Sequence, residues 1–208
     1  MAKAELLMPL ILKWEGGYSN HPNDNGECTM KGITINTYRS FFGDSKNCSD
    51  LKNITDDEWL TIFKDGYWNP LKGDNILNQS IANIIVDWGW MSGVGTAAKK
   101  IQKILDVECD GKFGPITLTK LNEGNQEELF NNIYKEREKF YYSICEKKPK
   151  QQCFLKGWLN RLEDYVFEEE PEVEIIEEKK EEDEKIHEND KKHFTDTMSD
   201  FGGAFLYK

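Results

Sequence analysis

Apolar residues recur at helical spacing over most of the first 167 positions, and the pattern predicts a chain that is mainly α. The first run covers residues 4–14 and ends at Trp14-Glu15-Gly16-Gly17-Tyr18. Pro9 lies inside it. A mid-helix proline removes a hydrogen bond and kinks the chain, so this helix is expected to start near Met8, with Pro9 in its first turn. Ile11, Leu12 and Glu15 then share one face. Glycine closes helices in a left-handed conformation, so Gly16 and Gly17 are expected to end the helix just past Glu15.

Residues 23–26 are turn-rich, and residues 28–34 read as a short hairpin or extended piece. Residues 35–42 predict a short helix that offers Tyr38, Phe41 and Phe42 to a core. Residues 44–53 read as a polar loop. Thr55 and Glu58 form a capping box for a helix to about Lys64, with Trp59, Ile62 and Phe63 on its apolar face. Residues 65–70 read as a turn and an extended piece. Residues 80–91 are the most apolar run, interrupted by Asp87. Gly93 and Gly95 separate it from a helix over 96–105. A tight turn at Asp110-Gly111 precedes Pro115, which sits well in a first helical turn. A long amphipathic helix covers about 127–146, a basic linker 147–150, and a last helix opens near Phe154.

Composition changes the picture only at the end of the chain. The net charge of −11 is spread unevenly: residues 168–208 hold fifteen Asp or Glu and six Lys, a net of −9. The body is almost neutral and rich in Trp and Tyr, and no basic stripe exists, which argues against duplex nucleic acid as a partner. Residues 168–192 cannot bury a core and read as disordered or as a solvated helix. The aromatic, glycine-bearing end (193–208) reads either as a docking peptide on a tether or as a frayed terminus. No run is long enough to span a bilayer, and the N-terminal run lacks the form of a signal peptide. Synthesis in the cytoplasm, no stable membrane insertion and a monomeric state are the expectations. The five cysteines (28, 48, 109, 145, 153) show no Cys-x-x-Cys pair, and the three histidines no ligand spacing. Neither a metal nor another cofactor is expected. Free thiols are the simpler reading, with a disulfide formed after release as the alternative.

The chemistry gathers around Glu15. A carboxyl at a helix rim, desolvated by apolar neighbours, is kept protonated near neutral pH and serves as an acid. A Glu that merely ends a helix is the plainer alternative. Asp24 follows nine positions later and Thr29 five after that. Breaking a glycosidic bond takes a proton donor and a second carboxylate that steadies positive charge or activates water. Glu15 fits the first role and Asp24 the second, with Thr29 holding the water. An Asx-turn residue and a strand residue are the plainer readings of Asp24 and Thr29. Tyr18, Tyr67 and Trp68 offer aromatic faces to a sugar or to the core. Asp87, in an apolar helix, must be paired structurally or face the cleft as a substrate contact.

These residues carry a resemblance. Glu15-Gly16-Gly17-Tyr18, then Asp24, then Thr29-x-x-Gly32-Ile33-Thr34 resembles the N-terminal motif of glycoside hydrolase family 108, the phage-type N-acetylmuramidases. The spacing of Glu, Asp and Thr is also similar to that of T-even phage lysozyme, within a residue. Gly26-Glu27-Cys28 departs from the family's usual Gly-Gly-Ala. The stretch from Asp87 to Gly93 resembles the same family. Asp110-Gly111-x-x-Gly114-Pro115-x-Thr117 resembles small helical peptidoglycan-binding repeats, where it either binds wall or completes the lobe. Phe154-x-x-Gly157-Trp158-x-x-Arg161 looks like the end of the family's domain, and Arg161 is expected to find a carboxylate in the body. The resemblance covers about residues 4–167. It implies a lysozyme-like helical fold with a small β-hairpin beside the catalytic helix, and a division into a catalytic region (1–95), a peptidoglycan-binding-like region (96–167) and an acidic tail (168–208). It implies a peptidoglycan hydrolase, or lysozyme, acting on the β-1,4 bond between N-acetylmuramic acid and N-acetylglucosamine without a cofactor. The implied setting is phage or prophage lysis, with the wall reached after release; a secreted antibacterial effector comes next. A lytic transglycosylase and a non-catalytic wall-binding protein are the competing readings.

Overall fold

A computed structural model describes residues 1–20 and 28–169. Asp24, nearly all of the acidic tail and the aromatic end at 193–208 lie outside the described residues. The architecture is mainly α and lysozyme-like. Among the described residues there are nine α-helices and one three-stranded antiparallel sheet.

The first helix, α1, runs Ala4–Trp14 and buries Ala4, Leu7 and Ile11. It starts four residues before the expected Met8 and passes straight through Pro9. That proline is exposed, so the Glu5 carbonyl it leaves without an amide faces water and the usual penalty is reduced. The ending also differs from expectation. Neither Gly16 nor Gly17 takes a positive φ. Instead Glu15 itself turns extended (φ −81°, ψ 138°), and its N–H still reaches the Ile11 carbonyl.

The sheet follows as β1 (Ser19–Asn20), β2 (Cys28–Met30) and β3 (Ile33–Thr34), in that spatial order. Asn20 pairs with Cys28, Ser19 with Thr29 and Thr29 with Thr34. Lys31 and Gly32 form the two-residue β2–β3 turn, with φ of 50° and 78°. Two successive left-handed residues match the twist of the flanking strands. The unfavourable Lys31 conformation is held in place: its carbonyl accepts Trp59 Nε1 at 2.9 Å, and its ammonium pairs with Asp56 at 2.9 Å.

Helix α2 (Ile35–Phe42) buries Tyr38 and packs Phe42 at the edge of the core, but Phe41 is 37% exposed and stands outside it. The predicted loop at 44–53 instead contains α3 (Cys48–Lys52), opened by an Asn47–Asp50 capping box. β2 and α3 lie side by side, so Cys28 and Cys48 (Cα–Cα 5.9 Å) form a disulfide, against the expectation of free thiols. Cys109, Cys145 and Cys153 remain free. Helix α4 (Asp56–Phe63) carries the expected Thr55–Glu58 box and the buried Trp59, Ile62 and Phe63. Residues Lys64–Trp68 continue it as a π-helical turn rather than an extended piece. Trp68 is buried there and Tyr67 is half-buried.

Helix α5 (Gln79–Ser92) is the central element, capped by Asn78 and buried along almost its whole length. The turn at Gly93 leads into α6 (Val94–Ile104), which packs back on α5. Pro115 opens α7 (Pro115–Glu123). The 22-residue α8 (Gln126–Lys147) lies against α5 and α6, and α9 (Gln152–Glu163) lies against α8. One apolar cluster runs through all of this, from Ala2 to Tyr165. The chain beyond α9 stays on the body to Glu168, whose N–H donates to Ser80 Oγ at 3.0 Å. Residues 1–170 form one compact unit.

Candidate active site

Glu15 stands where the end of α1 meets the β2–β3 turn, α5 and α9. Its Oε1 accepts two donors: Trp90 Nε1 at 2.6 Å and Arg161 Nη1 at 3.1 Å. Its Oε2 faces the hairpin turn. A Cβ placed on Gly32 would lie 2.8 Å from Oε2 and 2.6 Å from the Trp90 ring. Gly32 is therefore fixed twice, by its left-handed backbone and by the close approach of the two side chains. The Glu15 side chain is 17% exposed. Its immediate partners are an indole N–H and a guanidinium rather than the apolar neighbours expected from sequence. Beside it, Gly16 and Gly17 leave open space where side chains would stand.

Trp90 belongs to an aromatic wall built from three elements. Its ring lies 5.6 Å from Trp59, 5.9 Å from Phe63 and 4.7 Å from Tyr67. Tyr67 is half-buried in this wall. Burial pushes its phenol above the ordinary range, and the charge of Glu15 adds to the push. Tyr67 thus lies within electrostatic reach of the carboxylate. Tyr18 packs at the edge of the core, with the Lys52 ammonium 5.5 Å from its ring centre. Thr29 sits half-buried on the central strand, two residues before the turn that meets Glu15.

Two candidate substrate contacts take other roles. Trp68 is fully buried, lies tilted against Phe63 and donates Nε1 to Asp74 at 2.7 Å. Gly73 makes room for its ring, since any Cβ there would overlap it. Trp68 therefore has no face for a sugar. Asp87 is likewise completely buried. Arg137 of α8 binds its Oδ2, and Arg161 of α9 binds Oδ1. Burial alone would raise the Asp87 carboxyl; the two guanidiniums reverse this and hold it below the usual carboxylate value. Asp87 meets no substrate, but it fixes the Arg161 head that reaches Glu15. Arg137 is held by further bonds to the Ile84 carbonyl (3.1 Å) and Tyr141 Oη (2.8 Å). Burial disfavours the Arg161 cation, and its contacts with Asp87 and Glu15 outweigh that, so it stays firmly protonated.

Trp90, Arg137 and Gly32 were not singled out from the sequence as site residues. Arg137 did leave a signal. It falls four residues after Ile133 and four before Tyr141, on the buried stripe of α8, where an unpaired cation is excluded. Among the described residues, no three His, Cys, Asp or Glu side chains cluster as metal ligands, and no helix is long and apolar enough to cross a membrane.

A mainly helical, lysozyme-like scaffold that presents one held carboxylate beside a β-hairpin and an aromatic wall offers the kind of acid group that glycosidic-bond cleavage uses. Residues 8–93 match the family described as glycosyl hydrolase 108, and residues 96–163 match the one described as predicted peptidoglycan domain. Among solved structures, SagA of Brucella abortus is similar: 27% identity, a TM-score of 0.63, covering 78% of this chain and 90% of that one. No curated protein matches. Residues 8–93 are thus similar to the glycosyl hydrolase 108 family and residues 96–163 to a predicted peptidoglycan domain, and the two matches together support a peptidoglycan hydrolase.

Proposed function

We propose that the protein is an N-acetylmuramidase that hydrolyses the β-1,4 bond between N-acetylmuramic acid and N-acetylglucosamine. The observation that carries the reading is the double anchoring of Glu15 Oε1 by Trp90 and Arg161. With Oε1 committed to two N–H donors, the side chain is held in one orientation and Oε2 is the oxygen left to face the hairpin turn. Glu15 is assigned as the general acid that protonates the leaving oxygen. Asp24 lies midway in the sequence that joins the paired residues Asn20 and Cys28. It is assigned as the base or as the stabiliser of the oxocarbenium-like transition state, with Thr29 positioning the water. Inversion takes carboxyls about 6.5–9.5 Å apart with that water between them. Tyr18 and Tyr67 are the proposed sugar contacts.

The division into a catalytic region (1–95), a peptidoglycan-binding-like region (96–167) and a tail (168–208) is part of the same proposal, as are a monomeric state and a place in phage or prophage lysis. Mass spectrometry of fragments released from purified sacculi tests the reaction. Muropeptides with reducing muramic acid ends are expected. Ends carrying 1,6-anhydro rings would assign a lytic transglycosylase instead. Failure of the wild type to release any fragment would favour a wall-binding role.

A further inference from the structure

Asp164, at the C-terminal end of α9, closes a ring of contacts around Glu15. Its carboxylate accepts Trp14 Nε1 and, at 2.7 Å, the Lys13 ammonium. Trp14 is joined to Glu15 by the peptide bond, and Glu15 Oε1 accepts Arg161 Nη1 at 3.1 Å. The ring closes within α9, where the Asp164 N–H donates to the Arg161 carbonyl at 3.4 Å. One end of α9 thus grips the end of α1 twice, once on Glu15 and once on the residue before it. The surroundings make the second grip matter. Ile11 is the last core residue of α1, and Leu12 packs at the core's edge. Trp14 is half-buried and is not part of the apolar cluster. Gly16 and Gly17 are exposed, with no atom against them where a side chain would stand. The Glu15 backbone is therefore held from its upstream side. Asp164 itself is firmly placed. Its neighbour Tyr165 is 4% exposed, with the Arg137 guanidinium 5.4 Å from its ring centre. The hydrogen bond from Lys13, helped by that from Trp14, holds the Asp164 carboxyl below the usual carboxylate range.

We propose that Asp164 is a positioning residue for the general acid: by holding Trp14 it fixes the Glu15 backbone where Trp90 and Arg161 both reach Oε1. The proposal rests on Glu15 being the acid of the proposed muramidase reaction. The two halves of the tie are unequal. The Lys13 side chain is 57% exposed, and an ion pair that open to water contributes little. The Trp14 N–H, on a half-buried ring, meets an ionised acceptor, which makes the stronger kind of hydrogen bond. The Trp14 bond is thus the half that sets position. Without it the end of α1 is free to shift toward the open Gly16–Gly17 side, and a small displacement of a reacting group costs rate. Asp164 lies one residue past the match to the predicted peptidoglycan domain. The end of that region therefore steadies the acid carried by the glycosyl hydrolase region.

Trp90 supplies the readout. Its Nε1 donates to Glu15 Oε1, so its indole N–H signal reports where that carboxylate stands. Proton–nitrogen correlation NMR is recorded on wild type, Asp164→Ala, Asp164→Asn, Trp14→Phe and Lys13→Met, with the indole signals assigned by single tryptophan replacements. Values of kcat and KM are measured on soluble, uncrosslinked glycan strands. Asp164→Ala should shift the Trp90 signal and lower kcat about tenfold or more at little-changed KM. Asp164→Asn, whose amide oxygen still accepts from Trp14, should restore both the signal and most of the rate. Lys13→Met should leave both near wild type. Trp14→Phe should reproduce Asp164→Ala, and the two combined should be no slower than either alone, since they remove the same bond. An unmoved Trp90 signal in Asp164→Ala, or an Asp164→Asn protein as slow as Asp164→Ala, would overturn the role. If Asp164→Ala does not fold, the same comparison is made with Trp14→Phe, and an unmoved Trp90 signal there overturns it equally. A wild type that releases no fragment would overturn the muramidase reading, while the indole spectra would still decide whether Asp164 sets Glu15.

Discussion

Replacing Asp87 with Asn separates what the buried charges do for stability from what they do for catalysis. In the wild type one carboxylate with no exposed surface compensates Arg137, which has none either, and Arg161, whose side chain is 5% exposed. Removing one partner of a buried ion pair costs about 3–5 kcal/mol, because the remaining charge is left without compensation. For a body of this size that corresponds to a fall in melting temperature of about 6–20 °C. The acid limb should change as well. The folded Asp87 carboxyl is held below its ordinary value, so its contribution is fully present above the unfolded pKa of about 3.9. It is lost as pH falls through the folded value. Asp87→Asn should therefore lose the most stability at neutral pH, and progressively less relative to wild type below about pH 4. Thermal melts by circular dichroism over a pH series measure this. The triple variant Asp87→Leu/Arg137→Met/Arg161→Met completes the argument. Replacing the whole cluster with apolar groups should restore most of the stability while leaving Glu15 without its guanidinium, so activity should stay low. An Asp87→Asn protein within about 1 kcal/mol of wild type at neutral pH, or a triple variant with wild-type activity, would refute the reasoning.

Three further perturbations address the neighbourhood of Glu15. Gly32→Ala forces a Cβ against Glu15 and Trp90 at a positive φ, and should cost about 1–3 kcal/mol together with a marked loss of wall hydrolysis; activity equal to wild type would contradict the close approach. Trp90→Phe keeps the aromatic wall but deletes the N–H that holds Oε1, so kcat should fall about 10–100-fold, the scale of a hydrogen bond to a charged group, with little change in KM. Cys28→Ser/Cys48→Ser opens a link across 20 positions and should destabilise the protein by about 3 kcal/mol. The same loss should follow reductant treatment of the wild type, and an unchanged melt in either case would argue against the bond.

Local signals served the sequence reading well wherever the cause of structure was itself local. The Thr55–Glu58 box, the Pro115 start and the apolar run of α5 are each decided by neighbouring residues, and each is found. The misses have identifiable causes. The Asn47–Asp50 box that starts α3 was present in the sequence but was overshadowed by a polar stretch. Helix α1 continues through Pro9 because that ring faces water, which the sequence does not state. The π-helical turn at Lys64–Trp68 is imposed by packing: it buries Trp68 and leaves Tyr67 at the rim.

The site shows the same divide. Glu15 was legible from its motif, and Asp87 from its apolar surroundings, which demanded a partner. The partners themselves, Arg137 and Arg161, lie 50 and 74 positions away in the chain. No local pattern joins them to Asp87; only the packing of α8 and α9 on α5 does. The same holds for Trp90, which a hydrophobic count assigns to the core. Its ring does join the aromatic wall, but its N–H serves the carboxylate.

The most direct test of the central claim compares wild type with Glu15→Gln on purified sacculi. The substitution keeps the shape of the side chain and its contact with Trp90, but removes the transferable proton. Released reducing muropeptides should fall at least about 100-fold, the scale of losing general acid catalysis, in a protein that still melts cooperatively. A folded Glu15→Gln protein that releases fragments at the wild-type rate would contradict the account.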